Sequence, residues 1–154
     1  MDDKDLENYI IKNKIDAKIM YFEKHTMTVD SAVEQLKVSK DYIVKSILVI
    51  NEKNQPFIIL VNGARKVSFE KVAKVTGSSN IRMAKAKEVK EILGYEIGSV
   101  PPILYKDKII TIVDKRLLGY EYLIGGGGTK YTLLKIKPND IIVCNGAKVL
   151  DVSE

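Results

Sequence analysis

The chain has no tryptophan and only one cysteine and one histidine in 154 residues. A single cysteine excludes an intramolecular disulfide framework and fits a reducing compartment. One cysteine and one histidine cannot build a zinc site without help from carboxylates, so no metal and no cofactor is expected. The same scarcity argues against a Ser-His-Asp or Cys-His machine unless His25 carries it. His25, in YFEKHTMT, reads as a loop or capping residue, and Cys144, in the apolar run IIVCNG, as a buried thiol. No apolar run approaches the roughly 18 residues that span a membrane. The first residues, MDDKDLENYIIKNK, are charged throughout and do not form a signal peptide. A cytoplasmic protein with no membrane contact is the expectation.

Apolar residues make up 45% and charged residues 29% of the chain, the profile of a globular domain. The length corresponds to one domain, residues 1–154, with no linker, repeat or low-complexity segment. Net charge is +5 and the pI about 9.1. The charge is uneven: residues 1–44 are net −2 and residues 45–154 net +7. The segment 65–90 holds Arg65, Lys66, Lys71, Lys74, Arg82, Lys85, Lys87 and Lys90 against Glu70 and Glu88. A basic region of this kind favours a polyanion such as nucleic acid, although a lysine-rich solvated face reads the same way.

Residues 2–14 read as an amphipathic helix through Leu6, Tyr9 and Ile10, and Ala17 to Phe22 as extended. Thr28 is a natural N-cap for a helix carrying Val29, Ala32, Val33 and Leu36 on one face. Residues 45–51 and 56–62 are strand-like, joined by the hairpin loop EKNQ. Ser68 caps a further helix, and another runs from about Lys85 to Leu93 with Gly94 as its stop. KIITIVD, YEYLI and KYTLLKI read as strands, GGGG as a turn between the last two, and Pro138 opens a final helix. The fold class is therefore α+β: a mixed, largely antiparallel curved, barrel-like sheet surrounded by helices.

Three features can carry chemistry. Lys45 starts a strand whose two faces are both largely apolar, so its ammonium must snorkel, pair with a carboxylate, or face a pocket. At a pocket it would meet a phosphate or a developing oxyanion. The loop from Gly94 to Pro102 combines two glycines with a double proline and can hold backbone N–H groups in fixed positions, or simply be a rigid turn. The run Gly125–Gly128 is followed by Thr129-Lys130, the wrong order for a Walker A loop, and joins strands where a Rossmann turn joins strand to helix. It is either a mobile tip or a wall that admits substrate backbone. Asp114, at a strand end, is open to three roles: a cap, a partner for Lys45, or a site carboxylate. The eight tyrosines are scattered along the chain.

In order, TVDSAVEQLKV (28–38), IVKSILVI (43–50), NGARKVSFEKVAKVTG (62–77), GYEIGSVPP (94–102), IVDKRL (112–117) and the glycine run resemble segments of the YbaK/aminoacyl-tRNA synthetase-associated domain family. That family includes the editing domain inserted in bacterial prolyl-tRNA synthetases. The resemblance implies a YbaK-like fold and hydrolysis of the ester of mischarged aminoacyl-tRNA, most readily Cys-tRNA(Pro) or Ala-tRNA(Pro), by a free-standing trans-editing enzyme. It implies that Lys45 contacts the acceptor end at its phosphate or at the aminoacyl carbonyl, and that Gly98 backbone holds the aminoacyl group. Thr28, Ser46, Gly63, Ser99, Val100, Pro101, Pro102, Asp114, Gly126 and Gly127 then form the substrate-binding wall. The chain departs from some relatives that carry a histidine near the glycine run; it has none between Gly125 and Lys130. The implied partner is the 3′ acceptor end of aminoacyl-tRNA, with a tRNA synthetase as a second partner and a monomer as the default state. The competing reading is a non-catalytic relative that binds tRNA or a synthetase; the family lysine at Lys45 argues against it.

Overall fold

The computed structural model describes residues 1–154. Its elements in chain order are α1 (Asp3–Lys12), β1 (Ala17–Tyr21), α2 (Val29–Leu36), β2 (Val44–Asn51), β3 (Pro56–Asn62), α3 (Phe69–Thr76), β4 (Ile81–Met83), α4 (Ala86–Leu93), β5 (Ile110–Asp114), β6 (Leu123–Gly126), β7 (Thr132–Ile136), α5 (Pro138–Asn145) and β8 (Lys148–Leu150). Short 3-10 turns occupy Lys40–Tyr42 and Lys115–Gly119. No helix is long and apolar enough to cross a membrane.

The helix starts follow the capping chemistry legible in the sequence. Asp2 and Asp5 form a capping box on α1, Thr28 and Ser31 form one on α2, and Ser68 accepts from Lys71 N at α3. Gly77, Gly94 and Gly146 close α3, α4 and α5 in the left-handed region, where a Cβ would be strained. Pro138 sits at the start of α5, where its missing N–H costs nothing.

The strands form two sheets. One has order β4-β2-β3-β5-β8, antiparallel from β4 to β3 and parallel from β3 to β8; the other has order β1-β7-β6 and is antiparallel throughout. They meet at a parallel bridge between Ile43 and Ile124 and do not close a barrel. The α+β class and the mixed, mostly antiparallel pairing are as the sequence indicates. Two short strands, β4 and β8, carry too few residues for a periodic signal. The glycine run differs from expectation. Gly125 and Gly126 belong to β6 and pair with Leu134 and Leu133, so the turn begins at Gly127.

β2 and β3 are buried on both faces. Leu48, Ile58 and Leu60 join a core with Leu6, Tyr95, Leu134 and Ile136 between the two sheets and α1. Val49, Phe57, Ile59 and Val61 join Val72 and Ile112 beneath α3. A third cluster, Ala32, Ile43, Ile124 and Leu133, lies under α2. Each such buried aliphatic side chain contributes roughly 1.5–3 kcal/mol of transfer free energy, so β2 and β3 are the best-anchored part of the chain.

The last residues are held by ions. Asp114 is fully buried and accepts from Val152 N, Ser153 Oγ and Arg116. Arg116 also reaches Asp151 at 2.8 Å, and Lys71 reaches Asp151 at 3.0 Å. These two cations hold the Asp151 carboxyl at about 2, against an ordinary value of 3.8. A carboxyl depressed by folding stabilises the fold above its unfolded value and loses that contribution as the pH falls towards its folded value. Asp151→Asn is therefore expected to lower the melting temperature at neutral pH and to flatten its fall between about pH 4 and about pH 2, read from thermal melts across that range.

Candidate active site

The strand pairing creates the site. β4 pairs with β2 only at Val49–Asn51, so the Val44–Leu48 half of that edge has no strand partner in its own sheet. Leu48 O is taken by Ala84 N on this side. By the two-residue alternation of strand backbone, the main-chain groups of Ser46 point to the same open edge. The other sheet approaches here through the Ile43–Ile124 bridge, and a cleft of ≈ 310 Å³ lies at the seam.

Four segments line it. Thr26 to Val29 and Ala32 come from the start of α2 and the loop before it; Ile43 and the β2 residues Val44 to Ile47 follow; Ile97, Gly98 and Val100 come from the loop after α4; Ile124, Gly125, Gly126 and Leu133 from the β6–β7 pair. Lys45 is the only charged residue among them. The cleft is thus an apolar slot with one ammonium at its mouth.

Lys45 is half-buried, and its Nζ donates to the carbonyl of Arg65. It has no carboxylate partner. Burial, and then the nearby Lys66 ammonium, push its pKa below the ordinary lysine value. Two of its three N–H donors remain for a ligand. The cleft hydroxyls are already engaged. Ser46 Oγ donates to Pro101 O at 3.2 Å, Thr26 Oγ1 lies 3.2 Å from both Lys130 O and Thr132 O, and Thr28 Oγ1 pairs with Ser31. None of them faces a histidine or carboxylate that would take its proton. The amides of Gly98 and Val100, by contrast, donate to no acceptor in the protein.

Two glycines are needed for the walls to approach. A Cβ on Gly126 would stand 2.8 Å from the Ser99 backbone. Gly98 has φ +86°, and a Cβ there would meet the Met27 backbone oxygen at 3.0 Å. Gly128 N also bonds Ser99 O, which ties the glycine run to the proline loop. The run therefore packs against the proline loop.

Of the residues singled out in the sequence, Thr28, Lys45, Ser46, Gly98, Val100 and Gly126 converge on the cleft. Six do not line it. Ser99 Oγ turns back to Glu96 O, and Pro101 and Pro102 support Ser46 and Gly125 from behind. Gly63 allows close packing of Ile43 and Val29, and Gly127 packs on the Thr132 backbone. Asp114 is committed to the chain terminus through Arg116 and Ser153, so it is neither a partner for Lys45 nor a cleft carboxylate. His25 is exposed outside the cleft, and Cys144 is half-buried and does not line it.

Sequence reading missed several participants. Thr26, Met27, Ile43, Ile97 and Ile124 line the cleft, but nothing in their local pattern distinguishes them from core or loop. The buried Tyr105 hydroxyl lacks a hydrogen-bond partner, and burial pushes its pKa up. Three of the tyrosines gather next to the seam: Tyr42 lies 5.4 Å from Tyr120 and 5.1 Å from Tyr122 between ring centroids, and Lys135 sits over the Tyr122 ring at 4.2 Å. The basic segment is also less free than its composition suggests. Lys71, Arg82, Lys87 and Lys90 pair with Asp151, Glu88, Glu91 and Glu96.

Comparison with known proteins bears on this geometry. Residues 23–144, which contain every segment lining the cleft, match the aminoacyl-tRNA editing domain. EbsC of Enterococcus faecalis, named as a candidate Cys-tRNA(Pro)/Cys-tRNA(Cys) deacylase, is 21% identical over 127 residues, 82% of this chain and 77% of that protein. The proline–tRNA ligase of Lactobacillus gasseri is 36% identical over 107 residues, which are 68% of this chain and 18% of the ligase. A crystal structure of a candidate trans-editing enzyme for prolyl tRNA synthetase superposes with a TM-score of 0.82 at 30% identity, covering 90% of this chain and 87% of that one. A seam cleft with one lysine, inside a match that spans most of the sequence, leads to one conclusion: this chain belongs to the aminoacyl-tRNA editing domain family, whose activity is that of aminoacyl-tRNA deacylases.

Proposed function

We propose that the protein is a trans-editing hydrolase that removes a small, uncharged amino acid, cysteine or alanine, from mischarged tRNA(Pro). The observation that carries this reading is the lining of the cleft. Its walls are Val29, Ala32, Ile43, Ile124 and Leu133, and Lys45 is its only charge. An apolar slot of ≈ 310 Å³ is at the small end of ligand sites and suits a short side chain. A synthetase pocket discriminates poorly against a smaller or isosteric amino acid, so a second site with its own size limit is the physical remedy.

The chemistry asks little of the protein. An aminoacyl ester is already activated, and the cleft contains no base-nucleophile pair. The attacking atom is a positioned water, which the ribose 2′-OH can orient, or the thiol of a cysteine substrate. It bonds to the carbonyl carbon, negative charge collects on the carbonyl oxygen, the bond to the ribose oxygen then breaks, and the proton lost by the attacking group passes to that oxygen, releasing the free amino acid or, from the thiol, its cyclic thioester. Lys45 and the free amides of Gly98 and Val100 are the donors placed to receive that charge. Thr28, Ser46 and Gly126 shape the slot around the acyl group.

Purified protein should deacylate tRNA(Pro) carrying cysteine or alanine faster than tRNA(Pro) carrying proline. Lys45→Ala should slow that reaction by at least about tenfold, because it removes a donor to the developing charge. A melt of the variant verifies its fold, and unchanged turnover would remove Lys45 from the mechanism. Absence of hydrolysis on all charged species would favour the binding-only relative. Affinity for uncharged tRNA should fall as salt rises, since lysines displace phosphate counterions. The slope should be smaller than eight free cations would give, because four of those in 65–90 are already paired.

A further inference from the structure

A second cleft lies on the other side of Lys45. Its volume is ≈ 540 Å³, and Lys45 and Ile47 line both clefts, so this stretch of β2 is the partition between them. The far wall holds Lys66, Val67 and Ser68 before α3, Phe69 at the start of α3, and Met83 on β4. Two large apolar side chains are left in solvent here: Phe69 is 40% and Met83 49% exposed. Each sits at the end of an element whose neighbours Val72 and Ile81 are buried while it is not.

The charge is as telling as the shape. Lys66 forms no ion pair, unlike four of the other cations of its segment. It stands close enough to Lys45 to depress that lysine's pKa. Two like charges held together without a carboxylate between them are relieved by an anion of the ligand. Glu70 and Glu154 also border the cleft, but neither pairs with either lysine. A ligand that places a phosphate near Lys45 and Lys66 and a planar ring against Phe69 and Met83 satisfies both features at once. A nucleotide is such a ligand, and ring stacking on an aromatic face tolerates any base.

We propose that this second cleft binds a nucleotide of the tRNA acceptor end, with its base on Phe69 and Met83 and its phosphate at Lys66, while the aminoacyl group enters the first cleft past Lys45. The inference rests on the deacylase reading, and it adds the direction from which the RNA arrives. The ester then lies at the partition, within reach of Lys45, the one charged residue common to both sides.

The test uses the full chain and the trinucleotide 5′-CCA-3′, uncharged, with binding followed by NMR titration or calorimetry. Phe69→Ala should weaken binding by about fivefold or more, the loss expected for one stacked base. Phe69→Tyr, which keeps the ring, should restore most of it. Lys66→Ala should weaken binding and also flatten its salt dependence. Equal affinity of wild type, Phe69→Ala and Lys66→Ala would overturn the assignment, as would wild-type hydrolysis of charged tRNA without any detectable binding of the trinucleotide. If binding follows the expected pattern but no charged tRNA is hydrolysed, the nucleotide site stands and the deacylase reading falls.

Discussion

Burial of β2 on both faces is the constraint from which the rest of the arrangement follows. A strand with Leu48 in one core and Val49 in another cannot carry a charge along its middle without a desolvation cost of several kcal/mol. The lysine is therefore at the end of the strand, where its stem packs on apolar surface and its head reaches a cleft. The short β4 covers only the other end of the same edge, which leaves the main-chain groups near Ser46 open. One strand thus supplies the anchor, the charge and the exposed backbone of the site.

The proposed chemistry uses the same economy. Stabilisation of developing charge by fixed donors in an apolar setting is strong because little water competes with it. The same setting weakens the hold of Lys45 on its own proton, and Lys66 weakens it further. On the proposed reading the ester needs positioning more than activation, and the cleft has walls brought together by Gly98 and Gly126 and polar side chains already tied to their neighbours.

Much of this was readable from residue order. Caps such as Thr28, Ser68 and Gly94 act within a few residues of themselves, so a local pattern reports them faithfully. Lys45 stood out because its charge conflicts with its apolar strand. What escaped depends on distant pairing. The tyrosine cluster brings Tyr42 to Tyr120 and Tyr122 across about half of the chain. Asp114 looked available until Val152 and Ser153 folded back onto it. The glycine run read as a turn because its composition is that of a turn; its extended conformation is imposed by Leu133 and Leu134 on one side and the Ser99 loop on the other.

The hydrogen bond from Lys45 to the Arg65 carbonyl links the site to a place far along the sequence. Arg65 reaches Glu154 O through its guanidinium, Glu154 N returns to Lys66 O, and Ser68 N holds Val152 O. The segment that fixes the lysine head is thus stitched to the final strand-like residues, which Asp114 in turn fastens to β5. Tension applied at Val152–Glu154 would be transmitted through two backbone hydrogen bonds and one from the Arg65 guanidinium to the segment that holds the ammonium, so the reach of Lys45 is set by a tether as well as by its own rotamers.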